Sequence, residues 1–202
     1  MAIQAIISDP GSVLILRSPH SQLHGWEKRA GMTRRELFRL IDKADLNRMA
    51  ILGQISPDEV WRRVAVQTGL SEELLHELKE QFFAAKELNR PLLNFLQSLR
   101  PHYKLAMLCN AWSNAREALE RKFKLSQYFD LQVFSSEVGL AKPDARIYQL
   151  ILYRLNLYPE QALFLDDKFA NVDAARLVGM QGIHHQDNNQ TIAAIKKALG
   201  QS

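Results

Sequence analysis

"AIISDPGSVLI", residues 5–15, places an acid, a proline and a glycine in the middle of an apolar run near the start of the chain. Uninterrupted, such a run suits a strand buried on both faces of a parallel sheet. Residues 3–16 therefore read as a strand broken by a turn at Asp9-Pro10-Gly11. The question is why the break falls where the core should continue.

Outward from that stretch, the chain changes rhythm twice. Between residues 32 and 87 the pattern is helical: Leu37, Leu40 and Ile41 share one face, and Ser56-Pro57-Asp58-Glu59 is a capping box that opens a helix over Pro57–Thr68. A second start at Ser71-Glu72-Glu73 opens an amphipathic helix running to about Glu87. After Pro91, helices alternate with short apolar runs at 105–109, 131–134, 162–165 and 182–185. Such alternation predicts an α/β fold, a parallel sheet covered by helices on both faces. Residues 1–16 and 91–202 would form this core, with 17–90 a helical block inserted after the first strand.

Bulk properties narrow the function. At 202 residues the chain supports one sizeable core, or one core with a small satellite, and 47% hydrophobic with 24% charged residues is ordinary for a soluble globular protein. Apolar runs fall far short of the ~20 residues of a membrane helix, so no membrane partner is expected. The start, Met-Ala-Ile-Gln, lacks the features of a secretory signal, which predicts a cytoplasmic address. Cys109 is the single cysteine and excludes an internal disulfide or a multi-cysteine zinc site. The formal charge of +4 is mild, and the basic clusters Lys28-Arg29 with Arg34-Arg35 and Arg121-Lys122 with Lys124 are mixed with acids. They read as solvated helix faces, so no nucleic-acid partner is expected.

In an open parallel sheet, ligands bind beyond the carboxyl ends of the strands. There the sequence sets Asp9, Cys109-Asn110 and Asp166-Asp167, with Lys142 before a proline. Taken singly, each has an ordinary structural reading. Asp9 could start a turn, Asp166 or Asp167 could cap the helix that begins near Phe169, Lys142 could be a solvated loop residue, and Cys109 could be a small buried apolar side chain. Their order and spacing together point to a shared site.

Four stretches, "IISDPGSVLI" (6–15), "LAMLCNAW" (105–112), "GLAKPDARIY" (139–148) and "ALFLDDKFANVDAARLVGM" (162–180), resemble the ordered motifs of the haloacid dehalogenase superfamily, in its phosphatase-like branch with a helical cap. "LGQISPDEVWRRV" (52–64) also resembles a recurrent cap segment. The resemblance implies a three-layer Rossmann-like core under a small cap. It implies a Mg²⁺-dependent phosphomonoesterase acting on a small phosphorylated metabolite, with Asp9 as the nucleophile that becomes an aspartyl phosphate. Lys142 would hold that phosphate and screen Asp9, Asn110 and position 109 would bind phosphate oxygens, and Asp9, Asp166, Asp167 and the Gly11 carbonyl would hold Mg²⁺. Phosphoryl transfer needs this charge neutralisation and alignment, and Mg²⁺ prefers oxygen ligands.

Three positions depart from the family pattern. Gly11 stands where phosphatases of the family carry a second Asp as general acid and base. Pro10 has no N–H to offer a phosphate, and Cys109 replaces a hydroxyl with a weaker donor. These departures leave two alternatives: a member that binds a phosphorylated ligand or partner without turning it over, and a dehalogenase-type hydrolase. Selectivity is expected to come from the inserted block and the stretch leading into it, where His20, His24, Trp26 and Lys28 read as surface residues.

Overall fold

The computed structural model describes residues 2–17, 23–84 and 86–201. Strand β1 (Ala5–Ser8) is followed by β2 (Ile15–Arg17), then by the helices α1 (Leu23–Ala30), α2 (Arg34–Lys43), α3 (Leu46–Ile51), α4 (Pro57–Thr68) and α5 (Glu72–Ala84), and by β3 (Lys86–Leu88). The alternating part comprises α6 (Arg90–Leu99), β4 (Lys104–Cys109), α7 (Ala115–Phe123), β5 (Leu131–Phe134), α8 (Ser135–Val138), α9 (Ala145–Leu155), β6 (Ala162–Asp166), α10 (Phe169–Leu177), β7 (Gln181–His184) and α11 (Asn188–Ala198).

Five strands form one parallel sheet in the order β5-β4-β1-β6-β7. Successive β1 side chains serve opposite faces. Ile6 packs with Met107, Leu163 and Leu165 beneath α6, α7 and α11, while Ile7 packs with Leu108 and Phe164 beneath α9 and α10. That is why the central strands are apolar at every position. The expected α/β core of sheet and two helical layers is thus what the chain adopts.

The break in the first stretch is sharper than a turn within one strand. β1 stops at Ser8, Ser12 takes a left-handed conformation with φ of 59°, and the Leu14 and Ile15 amides both donate to the Pro10 carbonyl. Ile15–Arg17 consequently joins a second, two-stranded sheet, pairing antiparallel with β3 so that Ile15 faces Leu88 and Arg17 faces Lys86. This corrects the helix expected to reach Glu87, which ends at Ala84 before the chain returns beside β2.

The helices between β2 and β3 enclose a separate apolar cluster of Trp26, Leu37, Ile41, Val60, Trp61 and Leu78. Trp26, expected at the surface, is fully buried, and its Nε1 donates to the Leu74 carbonyl at 2.8 Å. His20 and the His24 side chain lie outside the described residues; Lys28 is exposed, as expected. Ser56 caps α4 by accepting from the Glu59 amide, but the Glu59 carboxylate turns to Arg62 and Arg63, whereas Thr33 and Glu36 make the complete reciprocal box on α2.

This helical cap meets the core closely at Gly53, whose φ of 70° and proximity to α8 both demand glycine: a Cβ there would fall 2.2 Å from the Ser136 carbonyl oxygen. Among the described residues, no helix is long and apolar enough to cross a membrane.

Candidate active site

The parallel ladder delivers the acids to one rim. Ser8 lies opposite Leu165, and the Asp9 amide donates to the Leu165 carbonyl at 2.8 Å, so pairing carries one residue past β1 and fixes Asp9 beside Asp166. Asp166 ends β6 and is fully buried; Asp9 is nearly so. Carboxylate oxygens of Asp9, Asp166 and Asp167 lie within 4.8 Å of one another.

Between the two buried acids sits Lys142. Its Nζ donates to Asp9 Oδ1 at 2.5 Å and to Asp166 Oδ2 at 2.6 Å. The peptide bond from Lys142 to Pro143 is cis. Asn110, directly after β4, holds the lysine backbone from both sides: Asn110 Nδ2 donates to the Lys142 carbonyl and the Lys142 amide donates to Asn110 Oδ1, at 2.8 and 2.9 Å. The Asn110 side chain, expected to bind phosphate, is therefore engaged in positioning the lysine.

Asp166 is equally constrained. Its Oδ1 accepts from the Lys168 amide at 2.8 Å, and Asn171 Nδ2 reaches both its oxygens at 3.1 and 3.0 Å. The Asn171 carbonyl accepts from the Tyr148 hydroxyl at 2.8 Å. Neither Asn171 nor Tyr148 was singled out in the sequence, although both fall inside the quoted motifs. An amide set between Ala170 and Val172 on an Ala-rich helix was the available signal for Asn171.

Burial dominates the electrostatics of Asp9 and, with the charges of Asp166 and Asp167, pushes its pKa up to about 6 against the pull of Lys142. Burial would lower the Lys142 ammonium, but the two carboxylates outweigh it and hold its pKa above the ordinary lysine value. The Cys109 thiol is buried, and burial with the Asp9 charge pushes its pKa up to about 12. It is a poor donor and nearly never a thiolate at neutral pH.

The rim opens into a cavity of about 620 Å³ roofed by the cap. Asp9, Gly11, Cys109, Asn110, Lys142, Asp166 and Asp167 all line it, so every residue expected at the site converges there. A Cβ at Gly11 would stand 3.3 Å from Asp9 Oδ2, so a side chain would crowd that oxygen. From the roof come Phe38, Ile51, Trp61 and Lys79. Trp112 was another omission: two residues past Asn110, it donates from Nε1 to Asn47 Oδ1 at 3.0 Å and packs edge-to-face on Trp61, tying the rim loop to the cap.

The donor chemistry fits a hard divalent cation: the three acids present only oxygen, and no described hydrogen bond occupies Asp9 Oδ2 or the Asp167 carboxylate. Asp166 accepts four hydrogen bonds from three donors and would have to release one of them to join the other two acids.

The chain is thus a capped α/β protein with three acids and a buried lysine at the C-terminal rim of its parallel sheet. The haloacid dehalogenase-like hydrolase family model matches residues 3–179, and the chain belongs to that family. It is 37% identical over 116 residues to the phosphorylated carbohydrates phosphatase of Thermotoga maritima, covering 54% of this chain and 52% of that protein. It is 32% identical over 131 residues to bifunctional epoxide hydrolase 2 of Rattus norvegicus, covering 62% of this chain and 24% of that protein. The chain thus aligns with about half or less of each of these relatives. A HAD family enzyme from Bacteroides thetaiotaomicron, solved with magnesium and inorganic phosphate, shares the fold with a TM-score of 0.76 at 21% identity, covering 92% of this chain and 95% of that one.

Proposed function

We propose that the protein is a Mg²⁺-dependent phosphomonoesterase acting on a small phosphorylated metabolite through an aspartyl phosphate on Asp9. The observation that carries this reading is the Asp9–Lys142–Asp166 bridge at the sheet rim, facing a cavity. A structural ion pair needs no cavity, whereas a nucleophilic carboxylate must face one.

Asp9 attacks phosphorus, the bond to the ester oxygen breaks, and the departing oxygen takes a proton. Water then attacks the aspartyl phosphate, releasing inorganic phosphate and restoring the carboxylate. Lys142 keeps Asp9 ionised against the burial that would protonate it, and Asn110 and Asn171 hold Lys142 and Asp166 in register. A magnesium ion held by Asp9, Asp167 and Asp166, with the Gly11 carbonyl, would supply neutralisation of the phosphate charge. The phosphatase among the relatives and the magnesium and phosphate in the Bacteroides enzyme support this assignment.

Gly11 provides no proton donor, so the reading favours esters whose leaving oxygen needs little protonation, such as aryl, acyl or anomeric sugar phosphates. Phosphate release from an aryl phosphate, measured with and without Mg²⁺, tests the assignment. Metal-dependent turnover is expected. Phosphate binding without turnover of any ester would establish the binding-only reading, and metal-independent halide release the dehalogenase reading.

A further inference from the structure

We propose that His184, the last residue of β7, is a positioning residue for the metal site, where its ring fixes the Asp167 backbone and so presets the Asp167 carboxylate for Mg²⁺. The proposal rests on the metal part of the phosphatase reading and adds a residue to it.

Asp167 is the acid with the least support of its own. Asp9 and Asp166 stand at the ends of paired strands and are bonded to Lys142. Asp167 lies one residue beyond β6, and no described hydrogen bond reaches its carboxylate. The direction of that carboxylate therefore depends on the backbone that carries it. The β6–β7 ladder gives out just before this point: Asp166 stands opposite His184, and the His185 amide donates to the Asp166 carbonyl at 2.9 Å. One residue further, the His184 ring takes over. Its Nε2 lies 2.9 Å from the Asp167 carbonyl oxygen, and because a carbonyl only accepts, that nitrogen carries the proton and donates. Among the described hydrogen bonds, the Asp167 carbonyl accepts from this ring alone.

Two further features single out the histidine. Phe169, although 58% exposed, stands edge-on to the His184 ring, with centroids 5.8 Å apart and planes at 82°, and so restrains its orientation. The other bond that shapes this loop runs from the Lys168 amide to Asp166 Oδ1, on a carboxylate that must give up a hydrogen bond to reach the cation. The His184 bond is independent of that exchange, so it holds Asp167 in place while Asp166 rearranges. A ligand ordered before the cation arrives loses less freedom on binding, so removing its support weakens affinity without altering a coordinating atom.

Calorimetric titration of Mg²⁺ alone into the full chain compares wild type with His184→Leu and His184→Gln, each checked by thermal melting without metal. His184→Leu, which has no donor, should bind Mg²⁺ about tenfold more weakly, the low end of what loss of such an outer partner costs. It should raise the Mg²⁺ concentration for half-maximal turnover of an aryl phosphate by the same factor while sparing kcat at saturating Mg²⁺. His184→Gln keeps an N–H at the end of the side chain and should stay within about threefold of wild type. Should His184→Leu fail to fold, Phe169→Ala removes only the packing on the ring and should weaken Mg²⁺ binding about threefold. A folded His184→Leu protein with wild-type Mg²⁺ affinity would overturn the proposal, as would His184→Gln failing as badly as His184→Leu, Phe169→Ala without effect where it is the variant used, or a wild type that binds no Mg²⁺. Mg²⁺ binding that depends on His184 in a protein that hydrolyses no ester would leave this assignment standing while the phosphatase reading falls. Metal-dependent turnover with Mg²⁺ binding indifferent to His184 would do the reverse.

Discussion

At the rim of the sheet, Asp9, Lys142 and Asp166 are buried and bonded to one another. The cap faces the same cavity with half-buried side chains such as Phe38, Asn47 and Ile51. The two regions obtain their order differently. Rim positions follow from backbone ladders, since Asp9 and Asp166 are held by pairing between β1 and β6. Cap positions follow from the packing of several short helices around Trp26, Leu37 and Trp61. Groups that must be aligned to a fraction of an ångström belong on the stiffer element, and groups that choose among ligands can sit on the other.

The division predicts that rim substitutions act on kcat and cap substitutions on KM. The largest effect is expected for Asp9→Asn. An amide cannot attack phosphorus, so kcat should fall by about 10³-fold or more with the fold retained by circular dichroism. Lys142→Ala comes next, with kcat/KM lowered by roughly 10²-fold, comparable to losing one preorganised electrostatic group. It also leaves two buried carboxylates without their cation, which should destabilise the protein by about 3–5 kcal/mol in a denaturant melt at neutral pH. A drop of only about twofold in kcat/KM would reduce Lys142 to a structural ion pair.

A cap-side variant sharpens the contrast. Trp112→Phe keeps a ring against Trp61 but removes the donor to Asn47, so it should cost about 1 kcal/mol and shift KM about threefold while sparing kcat. A fall in kcat instead of a rise in KM would show that the cap shares in the chemistry.

The smallest effect concerns pH. Burial lifts Asp9 from the ordinary 3.8 to about 6, so its contribution to stability is fully present below the ordinary value and is lost as pH rises through about 6. In thermal melts between pH 7 and pH 5, metal-free wild type should therefore gain stability relative to Asp9→Asn, because buried His185, whose pKa lies below the ordinary value, opposes the gain to the same extent in both proteins. Glu59 and Asp144, held at about 2 by arginine hydrogen bonds and, for Asp144, a backbone amide, act in the opposite sense only at much lower pH.

What the sequence disclosed follows the same division. The runs 105–109 and 162–165 are legible as strands because a strand buried on both faces must be apolar throughout, and the polar residue that follows each one marks the rim. Lys86-Glu87-Leu88 was illegible as a strand because it continues the polarity of α5, and only its pairing with Ile15–Arg17 sets it apart. Trp26 sits among polar neighbours in the chain, and its burial is decided by Leu37, Ile41 and Leu78 arriving from other helices. The occupation of the Asn110 side chain comes from a backbone 32 residues away, for which no local pattern exists.

The central claim is that Asp9 becomes covalently phosphorylated during turnover. Mixing the protein with an aryl phosphate and Mg²⁺, quenching in acid and mapping peptides by mass spectrometry tests it directly. The account predicts a phosphoryl group on the peptide containing Asp9, absent after Asp9→Asn. Steady turnover with the phosphoryl group on another residue, or with none trapped under conditions that preserve acyl phosphates, would contradict it.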